Sequence, residues 1–141
     1  MNTIFNCCYE LEKINGSVHT ISMVKSTITD NDVGPGITTR EYRNGCSAVD
    51  KKSVLKGKST GSNINYNPYN NNSWQSDPVN RRPAIIGLAH ELGHAFHFNE
   101  GDVILKQDKS APSYSAFENQ AIEIENIARK AYGLIIRPLI K

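Results

Sequence analysis

The segment from Ala84 to Phe98 constrains this chain more than any other. Ala84-Ile85-Ile86-Gly87-Leu88-Ala89 runs straight into His90-Glu91-Leu92-Gly93-His94, and apolar residues continue through Ala95 and Phe96 at helical spacing. Pro83 suits the first helical position, so a helix is predicted from about Pro83 to Phe98. Such a helix faces a core, where an unpaired polar side chain is costly. Residues i and i+4 share one helical face, so His90 and His94 aim two imidazoles at one point. Zn²⁺ takes nitrogen ligands in that arrangement at about 2.0–2.1 Å. Glu91 sits beside the first histidine, where a carboxylate can take a proton from water at such a metal. The spacing H-E-x-x-H therefore points to zinc-dependent hydrolysis. The competing reading is a pair of core histidines satisfied by hydrogen bonds.

A catalytic zinc site needs a third protein ligand and an open position. His97, Glu100, Asp102, Glu118, Glu123 and Glu125 are the candidates. A third histidine six residues beyond His94 would mark one common pattern, but that position is Glu100, and His97 stands where the pattern has glycine. Glu100 and Asp102 follow the helix closely enough for a short turn to return either one. A second helix is predicted from about Ser115 to Tyr132, stopped by Gly133. Its apolar stripe is Phe117, Ala121, Ile124, Ala128, Ala131 and Ile135, and beside it runs a polar line of Glu118, Glu125 and Arg129 with Ile122 between. An inward ligand should come from that line, which favours Glu118. Glu123 points away from it. Ser115-Ala116-Phe117-Glu118 also reads as a capping box, which would turn Glu118 back onto the Ser115 backbone. Glu125 and Arg129, four residues apart, form an ion pair that can orient a ligand shell. Tyr114, His97 and Tyr66 are candidate donors to a developing oxyanion.

The rest of the chain bounds the fold and the partners. A length of 141 residues fits a single domain, residues 1–141. Hydrophobic residues are 38% and charged ones 21%, as in a soluble globular protein, and the net charge of +2 gives no electrostatic case for nucleic acid or an anionic membrane. No apolar run reaches transmembrane length, and the N-terminus lacks the basic start and apolar run of a secretory signal. Cys7, Cys8 and Cys46 form neither a disulfide framework nor a metal knuckle, and reduced thiols suit a reducing interior.

The first half reads as strands. Ile4 to Leu11 leads into the hairpin signal Asn15-Gly16, and Val18 to Thr29 alternates in character. Asn44-Gly45 signals another turn, and Lys51 to Lys58 reads as a short basic strand or edge segment. Ile64 and Tyr66 alternate with Asn63, Asn65 and Asn67 in a strand stopped by Pro68. Ile64, Asn65 and Tyr66 are the expected substrate strand, an edge that holds an extended peptide by strand addition. The Asn-rich loop 67–73 and residues 1–50 are the expected recognition surfaces, with Trp74 an anchor against the domain. Strands first and two helices after make an α+β chain.

Three blocks resemble the zinc peptidase domains of bacterial effectors and toxins, including the type III effector metallopeptidases and the C-terminal toxin domains of Rhs-type proteins. They are Gly61 to Pro68, Arg82 to Ala95, and Glu118-Asn119-Gln120-Ala121 followed by Glu125-Asn126-Ile127-Ala128-Arg129 and Gly133 to Arg137. The usual proline between that glycine and arginine is replaced by Ile135 or Ile136, and residues 1–50 carry no part of the likeness. The resemblance implies a zincin-like fold, Zn²⁺ held by His90, His94 and Glu118, and Glu125 and Arg129 supporting the site; His97 is a further candidate for a supporting place. It implies an endopeptidase made in a bacterial cytoplasm and exported by a specialised secretion system. Its protein substrate would lie in a host or target cell, and a cognate immunity protein is a further expected partner. A repressor-cleaving regulatory peptidase and a non-catalytic zinc-binding domain are the alternatives; no helix-turn-helix segment accompanies the motif.

Overall fold

The computed structural model describes residues 17–23, 44–69 and 83–141. Three strands, β1 (His19–Met23), β2 (Gly45–Ala48) and β3 (Ser62–Tyr66), form one sheet in the order β1-β3-β2. β1 runs parallel to β3, with His19 opposite Ser62 and Met23 opposite Tyr66. β2 runs antiparallel to β3, with Gly45 opposite Asn65 and Ala48 opposite Ser62. Three helices complete the described elements: α1 (Lys51–Leu55), α2 (Ala84–Glu100) and α3 (Tyr114–Ala131). The α+β class expected from the sequence is borne out.

β3 is the middle strand because its alternation suits a sheet covered on one face. Ser62 and Ile64 are fully buried while Asn63 and Asn65 are exposed. Asn67 ends the strand with its side chain accepting from the Tyr69 backbone, and its own N–H donates to Asn44 Oδ1 at 2.7 Å. Asn44-Gly45 thus opens β2. The central position corrects the expectation of an edge: β1 pairs with Ile64, Asn65 and Tyr66 on one side and β2 with Ile64 and Asn65 on the other, so no peptide can add to the backbone of Ile64 and Asn65. β1 likewise finds its described partner across the sheet in parallel β3. The predicted hairpin at Asn15-Gly16, the strand Ile4–Leu11, Cys7, Cys8, the continuation 24–29, and loop 70–73 with Trp74 lie outside the described residues.

A second correction falls on residues 51–58, which begin as helix α1 and not as a strand. Asp50 caps it, its Oδ1 accepting from the Lys52 and Ser53 backbones at 3.0 and 3.3 Å. The lysines stay in solvent and Val54 alone goes inward.

α2 packs across the sheet. Ile64, Ile86, Leu88, Ala89, Leu92, Ala95 and Ala128 form the main core, and Val54, Phe98 and Val103 form a smaller one at the C-terminal end of α2. Cys46 borders both. α2 ends at Gly101, which adopts φ 72° and packs against the Lys58–Ser59 backbone so closely that a Cβ would lie 2.9 Å from it. α3 then returns against α2. Its buried residues are Ala121, Ile122, Glu125, Ala128 and Arg129, so the inward face is turned from the predicted apolar stripe toward the polar line.

Candidate metal centre

His90 and His94 are both 5% exposed, on the face of α2 that meets α3. Their rings stand edge to face with centroids 4.9 Å apart. Glu118 reaches them from the second turn of α3: its Oε2 is 3.1 Å from His90 Nε2 and its Oε1 is 3.1 Å from His94 Nε2. The capping-box alternative for Glu118 does not apply, because α3 starts at Tyr114 with Ser113 as its N-cap and Ser115 lies inside the helix. The close approach depends on Gly93 and Ala121, where α2 and α3 touch almost backbone to backbone.

One nitrogen of each imidazole and a Glu118 oxygen lie within 4.8 Å of one another, and among the described residues these three alone form such a group. The donor set fits a metal ion. Ligands about 2.0–2.1 Å from a tetrahedral zinc stand about 3.3–3.4 Å apart, close to the nitrogen–oxygen separations seen here. The group is of the borderline nitrogen and oxygen kind that zinc accepts.

The far side of His90 is built with equal care. Its Nδ1 is 2.9 Å from Oε1 of Glu125, a carboxylate with no solvent exposure. An Nδ1–H donating there leaves the Nε2 lone pair facing the cluster, which is the tautomer a metal requires. Arg129, four residues on, donates from Nε to Glu125 Oε2 at 2.6 Å. Arg137 donates from Nη1 to Glu125 Oε1 at 3.1 Å. His94 Nδ1 is buried with no hydrogen-bond partner among the described residues, and the Phe117 ring lies beside it with centroids 4.2 Å apart.

Three negative carboxylates around one imidazole dominate the electrostatics. Burial disfavours a charged His90, but hydrogen bonds to Glu118 and Glu125 and the charge of Glu91 outweigh it and push its pKa up to about 9. Burial opposes ionisation of Glu118 and Glu125 as well. The two histidines nonetheless hold Glu118 well below the carboxylate range. His90 and Arg129 bring Glu125 down to about 2.

The remaining sequence candidates fall elsewhere. His97 pairs with Asp102 at 2.7 Å and contacts Gln120, forming a clasp across the end of α2 and not a contact to the cluster. Tyr66 is half-buried against the main core, where desolvation raises its pKa. Tyr114 is the first residue of α3, one turn before Glu118, and is 74% exposed. Glu123 is exposed, and Glu100 is exposed at the end of α2. Glu91 is half-buried beside His90. Sequence reasoning assigned no role to Arg137 or Asn126. Their signal was present in the arginine that follows Gly133 and in the asparagine beside Glu125.

A family model described as Peptidase_M91, effector protein, matches residues 10–136. The chain belongs to this effector peptidase family. The resemblance drawn from the three motif blocks is therefore borne out. The match extends well into residues 1–50, where the motifs carried no likeness. Family membership makes the chain a peptidase-like effector with a protein substrate. No curated protein and no solved structure matches it. No described helix is long and apolar enough to cross a membrane.

Proposed function

We propose that this chain is a zinc-dependent endopeptidase that cleaves a specific protein of a host or target cell after export from a bacterium. One observation carries the metal assignment: Nε2 of His90, Nε2 of His94 and the Glu118 carboxylate converge, with Glu91 next in sequence to the first of them. Family membership supports the peptidase reading and the effector role. The α2–α3 pairing with its carboxylate from the second helix supports a zincin-like arrangement, and the length supports one domain over residues 1–141.

A bound zinc ion supplies Lewis acidity toward a peptide carbonyl and toward water. His90 and His94 would hold it as neutral imidazoles, and Glu118 would supply a negative charge. Glu125 and Arg129 keep His90 in the required tautomer. Glu91 accepts a proton from the attacking water and returns it to the leaving amine. Tyr114, on the face of α3 that carries Glu118, donates its hydroxyl hydrogen to the oxygen that gains charge. Residues 1–50 and the loop 67–73 select the substrate. A cognate immunity protein is a further proposed partner.

The test uses host-cell lysate incubated with the protein, with and without a chelator, followed by a search for new N-termini. One or two cleaved proteins, lost with chelator and regained with zinc, are expected. Chelator-insensitive cleavage sinks the metal assignment, and rapid degradation of casein at many sites sinks the narrow specificity. Membership of an effector family weighs against the repressor-cleaving alternative.

A further inference from the structure

Glu125 accepts three charge-assisted hydrogen bonds, and they differ in origin. Arg129 belongs to the same helix, one turn on, and binds Oε2. His90 belongs to α2 and binds Oε1. Arg137 comes from beyond the end of α3. The chain reverses at Gly133, with φ 70°, and Leu134 N–H returns to the Arg129 carbonyl at 2.8 Å. The segment then runs back along α3, fastened at three points, the first being Arg129 Nη1, which donates to the Ile135 carbonyl at 3.3 Å. Asn126 pairs with the Arg137 backbone in both directions: the Arg137 N–H donates to Oδ1 at 2.7 Å and Nδ2 donates to the Arg137 carbonyl at 2.9 Å. Asn119 repeats the device at Ile140, with 2.7 and 2.8 Å.

We infer that Arg137, locked in place by Asn126, is a positioning residue for the metal ligand His90. The inference rests on the reading of His90, His94 and Glu118 as a metal centre. A carboxylate held only through Oε2 by Arg129 can pivot about that bond. Arg137 fixes Oε1, the oxygen that His90 Nδ1 meets. A fixed Oε1 fixes the imidazole plane, and the plane sets where Nε2 points. Arg137 is 27% exposed while Glu125 is fully buried, so the tail delivers a charge to the core from the surface side. Asn126 holds the Arg137 backbone and never touches His90. Its effect on the metal therefore passes through Arg137, and Asn119, fastening only the far end, has none.

The test measures zinc affinity by chelator competition and the visible absorption of the cobalt(II) form. It uses the full chain and Arg137→Met, Arg137→Lys, Asn126→Ala and Asn119→Ala, with thermal melting alongside. Arg137→Met and Asn126→Ala should each weaken zinc binding about tenfold, the lower end for groups that orient ligands, and shift the cobalt bands. Arg137→Lys should recover part of the affinity, since it keeps the charge but not the planar fork. Asn119→Ala should match wild type. Folded Arg137→Met and Asn126→Ala with wild-type affinity and spectrum would overturn the inference, as would equal losses in Asn126→Ala and Asn119→Ala. If Arg137→Met does not fold, Asn126→Ala, which keeps every charge, decides alone. A wild-type chain that binds neither ion refutes the metal centre itself, and the inference with it. Wild-type binding that the variants leave unchanged refutes only the role of Arg137.

Discussion

Gly93 on α2 faces Ala121 on α3 so closely that a methyl group at position 93 would lie 2.9 Å from the Ala121 Cα and 3.0 Å from its carbonyl oxygen. Gly93, just before His94, is thus a packing position between the two helices. Ala121 is fully buried three residues beyond Glu118, so the distance at which the helices meet also sets how far the Glu118 carboxylate reaches.

Gly93→Ala should therefore push α3 outward and loosen the site together with the core. A cost of about 1–3 kcal/mol is expected from overpacking, read by denaturant titration, with a parallel loss of zinc affinity. Gly45→Ala is the control: nothing lies within 4 Å of a Cβ there, so stability and metal binding should change little. Equal behaviour of the two variants would show that the helix contact does not govern the site.

Glu118→Ala should abolish stoichiometric zinc binding while the protein stays folded. Glu118 is partly exposed, so its loss opens no large cavity, but it removes the carboxylate that faces both Nε2 atoms. Glu123→Ala and Asp102→Ala should keep one zinc per chain, because Glu123 is exposed and Asp102 is engaged with His97. Metal analysis of the purified proteins checks this. Full zinc in Glu118→Ala with loss in either of the others would reassign the third ligand.

Much of this arrangement is legible in the residues themselves, because helical periodicity is local. The α2 helix, its two histidines and the polar line Glu118-Glu125-Arg129 follow from steps of three and four. The inward face of α3 was harder to read. Apolar residues define it in a sequence, yet Glu125 and Arg129 are buried here because they neutralise each other and His90, a compensation visible only in three dimensions. Lys51–Leu55 was misread because four nearby lysines outweighed a single Asp50 cap. The central place of β3 was not legible either: Ile64 and Tyr66 have the alternation of any half-buried strand, and which edges are paired depends on β1, distant in sequence. Arg137, noted only as part of a motif, received no role because its position is set by Asn126, a contact between a helix and a turn-reversed tail.

Zinc binding should release a proton near neutral pH. In the metal-free chain His90 is pushed up to about 9 by Glu118 and Glu125 against the effect of burial, so it is charged at pH 7. Glu118 is held well below its usual range and is already ionised there. A neutral His90 is needed for coordination, so affinity should rise about tenfold per pH unit through pH 6–8 and level off above the His90 pKa. Calorimetry in buffers of different ionisation enthalpy gives the proton count directly. An affinity independent of pH across this window would show that His90 is neutral before zinc arrives.

Glu91→Gln should separate binding from chemistry. Glu91 is half-buried next to His90 and is absent from the group of converging donors, so an isosteric amide should leave one zinc per chain and a wild-type melting profile. Its charge contributes to the raised pKa of His90, so the metal-free variant should show a slightly lower pH midpoint for zinc uptake. An amide cannot accept a proton from water, and loss of a positioned general base lowers turnover by about 10²–10⁴-fold. The comparison needs the cleaved protein from the lysate experiment, followed as a single new N-terminus over time. A folded, zinc-loaded Glu91→Gln that cleaves at the wild-type rate would remove Glu91 from the reaction and return the search for a base to the other side chains around the site.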